Sequence, residues 1–193
     1  MPRNKQFDEE EILDKAMVIF WEKGYHETSI TDLIEGLGLS NASIYHSFKG
    51  KRQLFERAFE RYRQRSLEGI QAFLSTETDV KAGLRFMFQK VIENDLLDPE
   101  PKGCMVVNTT TELLPDDEMM RRVIGQYQLD MVATFHSFLQ RGEERGQIPA
   151  GKPLGAIAKA LYTFMMGLKI ANKVGGDVTE SNASLEAMLS MID

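Results

Sequence analysis

The chain has 193 residues, 42% hydrophobic and 27% charged, the balance of a globular protein able to bury a core without staples. Its single cysteine, Cys104, excludes an intramolecular disulfide and a cysteine-based zinc cluster, and three scattered histidines (His26, His46, His136) argue against a histidine metal site, so neither metal nor cofactor is expected. The net charge of −6 disfavours nucleic acid until it is mapped: the first 65 residues hold 11 basic and 11 acidic side chains, and the acidic excess lies beyond them.

The start of the chain turns acidic at Asp8 and lacks the apolar stretch of a signal peptide, and no run of 18 apolar residues follows. A cytoplasmic protein with no membrane partner is therefore expected. Residues 8–23 place Ile12, Leu13, Ala16, Met17, Phe20 and Trp21 on one helical stripe. Asp8 and Glu11 form a capping box at the start, and Gly24 ends the helix. Ser29 and Asp32 open a second helix through Leu37, Gly38 supplies a tight turn, and Ser40 caps a third helix over 41–46. A longer helix over 51–74 carries Leu54, Phe55, Ala58, Phe59 and Tyr62 on one face. Between 47 and 65, seven basic residues stand against two acidic ones, which reads as a surface for phosphates or equally as a solvated helix face. Further helices are predicted over 79–95, 103–113, 117–145, 153–174 and 182–192, divided by Pro- and Gly-marked loops. The β-branched run from Val106 to Thr111 weakens the helix expected there.

Two short helices joined by a tight turn, from Ser29 to His46, make a helix-turn-helix. The first braces the second, whose small and polar residues (Ser40, Asn41, Ala42, Ser43) allow close approach to base edges in a major groove. Ile44 turns back to the core with Leu33, Ile34, Leu37 and Leu39. Tyr45 and His46 close the helix beside Lys49 and Lys51.

The ordered set Phe20-Trp21-Glu22-Lys23-Gly24-Tyr25, Thr28-Ser29-Ile30, Asp32-Leu33, Leu37-Gly38-Leu39-Ser40, Ser43-Ile44-Tyr45-His46, Phe48 and Lys51-Arg52-Gln53-Leu54-Phe55 resembles the TetR family of bacterial transcriptional repressors across about residues 7–60. The resemblance implies an all-α homodimer. A helix-turn-helix DNA-binding domain over 1–50 would precede a helical ligand-binding and dimerisation domain over 51–193, with helix 51–74 connecting them. It implies DNA contacts from Thr28, Ser29, Ser40, Asn41, Ala42, Ser43, Tyr45, His46, Lys49 and Lys51, with Thr28, Ser29 and Lys51 on phosphates and Asn41, Ala42 and Ser43 on bases. Ser47 and Gly50 depart from the usual pattern, which bears on the phosphate contacts alone. Capping is the competing role for Thr28, Ser29 and Ser40, core packing for Tyr45, and a solvated tail for Arg3 and Lys5.

The second half is rich in Phe and Met, of which most belong to a core. The resemblance implies an apolar ligand cavity there, with Phe86, Met105, Phe135, Phe164 and Met165 as its candidate lining. Segment 154–174 is apolar nearly all round, so a partner subunit is expected on its second side. Leu154, Ile157, Leu161, Phe164 and Leu168, with Leu185 and Leu189 of the last helix, are the interface candidates for a four-helix bundle across a two-fold axis. Lys102-Gly103-Cys104-Met105-Val106-Val107-Asn108 resembles a segment of the family branch that senses reactive electrophiles. A helix N-terminus beside a lysine favours thiol reactivity, while a small buried hydrophobe is the competing role for Cys104. No Ser-His-Asp set, phosphate loop or paired carboxylates point to an enzyme. The expected partners are an inverted-repeat operator duplex, a second copy of the chain and a small apolar or electrophilic inducer; the alternative is a helical interaction module without sequence-specific DNA binding.

Overall fold

The computed structural model describes residues 7–97, 102–114 and 116–193, so Arg3, Lys5 and the loop at 98–101 lie outside the described residues. Those described form an all-α chain: α1 Glu9–Lys23, α2 Ile30–Leu37, α3 Asn41–Phe48, α4 Lys51–Thr76, α5 Val80–Leu97, α6 Met105–Leu113, α7 Glu118–Glu144, α8 Leu154–Val174 and α9 Val178–Leu189, then a 3-10 turn over Ser190–Ile192.

Side-chain caps set most of these boundaries. At α2 the box is complete: Ser29 Oγ accepts from the Asp32 N–H at 3.0 Å, and Asp32 Oδ2 accepts from the Ser29 N–H at 2.7 Å. At α1 half of the expected box forms. Asp8 accepts from the Glu10 N–H, while Glu11 pairs with Lys15 one turn on. Helix α3 runs to Phe48, past the expected end at 46, because Lys49 takes a left-handed φ of 60° and its N–H closes the helix on Tyr45 O. Helix α9 begins four residues before the expected 182, because Asp177 caps the N–H groups of Thr179 and Glu180. The β-branched run of α6 is helical despite its propensity; Thr110 and Thr111 return their hydroxyls to carbonyls of the preceding turn, Thr110 to Val106 O and Thr111 to Val107 O and Asn108 O.

Helices α1 to α4 close around Phe20, Leu33, Ile44, Phe48, Phe55 and Phe59, each 1% exposed or less, with Phe20 edge-on to Phe55. The other core, between α5, α7 and α8, holds Phe88, Met131, Phe135, Phe138 and Leu161, with α9 laid on α5. Truncating one such phenylalanine costs about 3–5 kcal/mol, through lost transfer energy and the void left behind.

Here one sequence expectation is corrected. Leu154, Ile157, Leu161 and Leu168 of α8, and Leu185 and Leu189 of α9, are buried within a single protomer, where they pack on α7 and α5. The all-round apolarity of α8 is real, and the outward edge is a different one: Ala156, Thr163, Gly167, Ile170, Ala171 and Val174, with Phe164 half-buried beside it. By length and hydropathy α8 is also long and apolar enough to cross a membrane, although it serves as a core helix of this bundle.

Candidate nucleic-acid interface

Ser29, Ser40, Asn41, Ala42, Tyr45, His46 and Lys49 are exposed on one contiguous face formed by the start of α2, all of α3 and the turn after it. Behind them Leu33, Leu37, Ile44 and Phe48 are buried. Helix α3 is thus fixed on its inner side and unobstructed on its outer side. Ser40 caps it through the Ser43 N–H at 3.1 Å, and the two hydroxyls lie 2.9 Å apart. The half-buried Ser43 therefore holds the cap, while Asn41 and Ala42 point outward. Tyr45 is 56% exposed, which corrects any core role for it. Its ring lies over Gly50, where an added Cβ would meet Cε1 at 3.1 Å and where φ is +107°. The departure at Gly50 thus leaves room for the ring and supplies a conformation that side chains resist.

Thr28 is a second correction. It is fully buried, and its hydroxyl donates to Gly24 O at 2.5 Å, so the side chain faces the protein. Lys51 is half-buried; its ammonium donates to His26 O at 3.2 Å and lies 4.6 Å from the centre of the Tyr25 ring. That holds the charge against the turn between α1 and α2, at Tyr25 and His26, before any ligand arrives.

The basic stretch at 47–65 resolves differently from a phosphate surface. Arg57 pairs with Glu9, Arg61 with Glu10 and Asp14, and Arg65 with Asp14, which zips α4 to α1. Arg63 pairs with Glu60 and Asp130, and Arg52 with Glu56 and Asp117. Hydrogen bonding to Arg61 holds the Asp14 carboxyl below the usual carboxylate range, and Arg52 does the same for Asp117. Among the described residues, Lys49 and Lys51 are the basic groups of this stretch without a carboxylate partner. The arginines of this stretch are thus taken up by carboxylates of the same chain, which neither sequence reading anticipates, and its candidate phosphate contacts narrow to the two lysines.

Helix α6 joins the two cores. At its start, Trp21 Nε1 donates to Gly103 O at 3.0 Å, Lys102 pairs with Glu22 at 2.7 Å, and Tyr62 OH lies 3.7 Å from Cys104 Sγ. At its end, Glu112 accepts from the backbone of Tyr25 and His26, and Asp117 just beyond meets Arg52 at 2.5 Å. Asp117 also caps α7 through the Met120 N–H. Of these residues, Glu112 and Asp117 carry no signal in the sequence. They lie 40 to 90 positions from their partners, and no local pattern announces such a pairing.

Cys104 is 6% exposed and sits at the N-cap of α6 as part of the core. Three tyrosines surround it: burial pushes the Tyr62 phenol well up, and raises Tyr127 and Tyr162 to about 12. Tyr127 shares a hydrogen bond with Ser66 at 3.0 Å. Of the candidate ligand residues, Met105, Phe135 and Met165 are buried in the core and Phe164 lies 5.5 Å from the Phe88 ring. Phe86 does not join them. It is half exposed on the outer side of α5, stacked on Phe73 with the Lys90 ammonium over its ring.

A family model described as bacterial regulatory proteins, tetR family, matches residues 12–58, and one described as Tetracyclin repressor-like, C-terminal domain, matches 81–188. The chain is 30% identical over 195 residues to the uncharacterized HTH-type transcriptional regulator YezE of Bacillus subtilis (strain 168), covering all of both chains. It is 30% identical over 190 residues to the HTH-type transcriptional repressor ComR of Escherichia coli (strain K12), covering 98% of this chain and 87% of that one. Among solved structures, a cysteine mutant of the regulator CifR complexed with a 26-base-pair operator duplex superposes with a TM-score of 0.86 at 23% identity, covering 99% of this chain and all of the other.

Proposed function

Because the chain belongs to the TetR family of bacterial regulatory proteins, and is thus a helix-turn-helix transcriptional regulator, we propose that it is a homodimeric repressor that binds an inverted-repeat operator and is released by a small ligand. The observation that carries the DNA half is the face of α3. Asn41, Ala42, Tyr45 and His46 are open to a partner, with Lys49 and Lys51 at the margin, on a helix whose other side is locked into the core. One such helix reads only a few base pairs, so two copies on successive major grooves, about 34–36 Å apart, supply the needed specificity.

The dimer reading is supported by the outward edge of α8. An edge of Ala156, Thr163, Gly167, Ile170, Ala171 and Val174, flanked by the exposed Lys159 and Lys173, is mostly apolar with small residues along it, which suits helix packing across a two-fold axis. The repressor reading draws on the relative named a repressor. For the inducer, the supporting feature is the aromatic and Met-lined core between α5, α7 and α8, which meets α6 at Cys104. A ligand there, apolar or reactive toward the thiol, weakens DNA binding only by favouring a head orientation that DNA does not. The reading is tested by selecting bound fragments from bacterial genomic DNA and measuring the mass of protein and complex. Enriched fragments sharing an inverted repeat, bound by two chains, are expected; tight binding by a lone chain, or enrichment without a common motif, refutes it.

A further inference from the structure

Glu112 lies on the last turn of α6, yet both its carboxylate oxygens are spent on the turn between α1 and α2. Oε2 accepts from the Tyr25 N–H at 3.0 Å and Oε1 from the His26 N–H at 2.5 Å. Two bonds from one planar group fix orientation as well as distance, and the charge strengthens both. Gly24 makes the approach possible. A Cβ there would stand 2.9 Å from Glu112 Oε2, and the residue sits at φ +82°, where side chains are strained. The same turn is gripped from the other side, where Lys51 donates to His26 O at 3.2 Å and Thr28 to Gly24 O at 2.5 Å. The turn therefore links α6 to Ser29 at the head of α2 and to the Lys51 ammonium, two groups assigned to phosphate.

We propose that Glu112 is a positioning residue for DNA binding: through the Tyr25 and His26 amides it sets the turn that carries Ser29 and receives Lys51, so the phosphate-facing edge of the head follows α6. The role rests on the DNA-binding reading above. It gives α6 a direct route to that edge, besides any route through the long helix α4. It also reverses the sign expected of a plain charge. A carboxylate near DNA repels phosphate, so its removal tightens binding if repulsion is all it does; removal of a positioning group weakens binding.

The test uses the full-length protein and a duplex enriched by the wild type from a random library. Operator affinity is measured for Glu112→Ala and Glu112→Gln, with hydrogen exchange followed at the Tyr25 and His26 amides. Glu112→Ala is expected to lose about tenfold in affinity, the worth of one charge-assisted hydrogen bond, with the preferred bases unchanged. Its two amides lose protection while those of the buried α1 and α4 positions keep theirs. Glu112→Gln keeps one acceptor and sets an amide donor against the other N–H, so it falls between. Equal or tighter binding by both variants overturns the role, as does unchanged protection at Tyr25 and His26. Failure of the wild type to enrich any duplex overturns the DNA reading and this role together, whereas wild-type binding matched by both variants overturns the role alone.

Discussion

Replacing Lys51 by alanine removes one of the two lysines that the arginine pairing leaves for phosphate. The lost interactions within the protein are small. One hydrogen bond to His26 O at 3.2 Å and a cation over the Tyr25 ring at 4.6 Å are together worth about 1 kcal/mol at a half-exposed site, or about 2–4 °C in Tm for a chain this long. The effect on DNA is larger and has a distinct signature. Each neutralised phosphate contributes about 0.9 to the slope of log K against log salt, so a dimer losing two contacts flattens by about 1.8. Between 50 and 200 mM salt, wild-type affinity should therefore fall about 12-fold more than that of the variant. Fluorescence anisotropy on a selected duplex, across that salt range, measures the slope directly. Because Lys51 touches no base in this scheme, the ranking of operator sequences should stay the same. An unchanged slope, or an altered base preference at unchanged affinity, refutes the assignment.

Three further outcomes are expected. Gly142→Ala places a Cβ 2.8 Å from Val80 Cγ2 and 3.1 Å from Ile148 Cδ1, so denaturant unfolding should show a loss of about 1–3 kcal/mol from overpacking between α7 and α5. Ile170→Glu, on the outward edge of α8, should shift sedimentation toward the monomer with helicity intact, whereas a change at the buried Leu161 should unfold the protomer; an unchanged mass for Ile170→Glu counts against α8 as the interface. The carboxyls of Asp14, Asp117 and Glu186 are each held below their ordinary values by an arginine hydrogen bond, from Arg61, Arg52 and Arg85 respectively. The unfolded chain takes up protons first as pH falls. These groups thus contribute their full stability above about pH 5 and lose it below about pH 4, where thermal unfolding should show Tm declining.

Elements and caps were legible in the sequence because their causes are local. Ser29-Asp32 and Ser40-Ser43 lie three residues apart, and Gly24 and Gly38 stand where a chain must turn. The reading face of α3 was legible because Ile44 is the one large aliphatic side chain of 41–46, which marks the inner side and leaves the small and polar residues for the outer one. What the sequence cannot resolve is which side of an all-apolar helix meets which neighbour: Leu161 and Leu168 read as partner-facing, whereas α7 and α5 cover them. Phe86 was misplaced for the same reason: hydrophobicity does not distinguish a core ring from one stacked on the surface. The arginines of α4 misled because their partners, Glu9, Glu10 and Asp14, sit some 50 residues earlier, and a charge count over a window cannot see them. Glu112 left no local trace at all.

The ion pairs between α1 and α4 bear on how this regulator can be rebuilt. Joining its reading head to a different sensor at residue 50 would cut Glu9, Glu10 and Asp14 from Arg57, Arg61 and Arg65, and would set three acids against a foreign helix. The transplantable unit therefore extends through Arg65, fifteen residues into the helix that also enters the sensor core. A hybrid spliced beyond that point carries its own electrostatic clasp, and the recipient must supply an acceptor for Trp21, a cation for Glu22, and carboxylates in the places of Glu112 and Asp117.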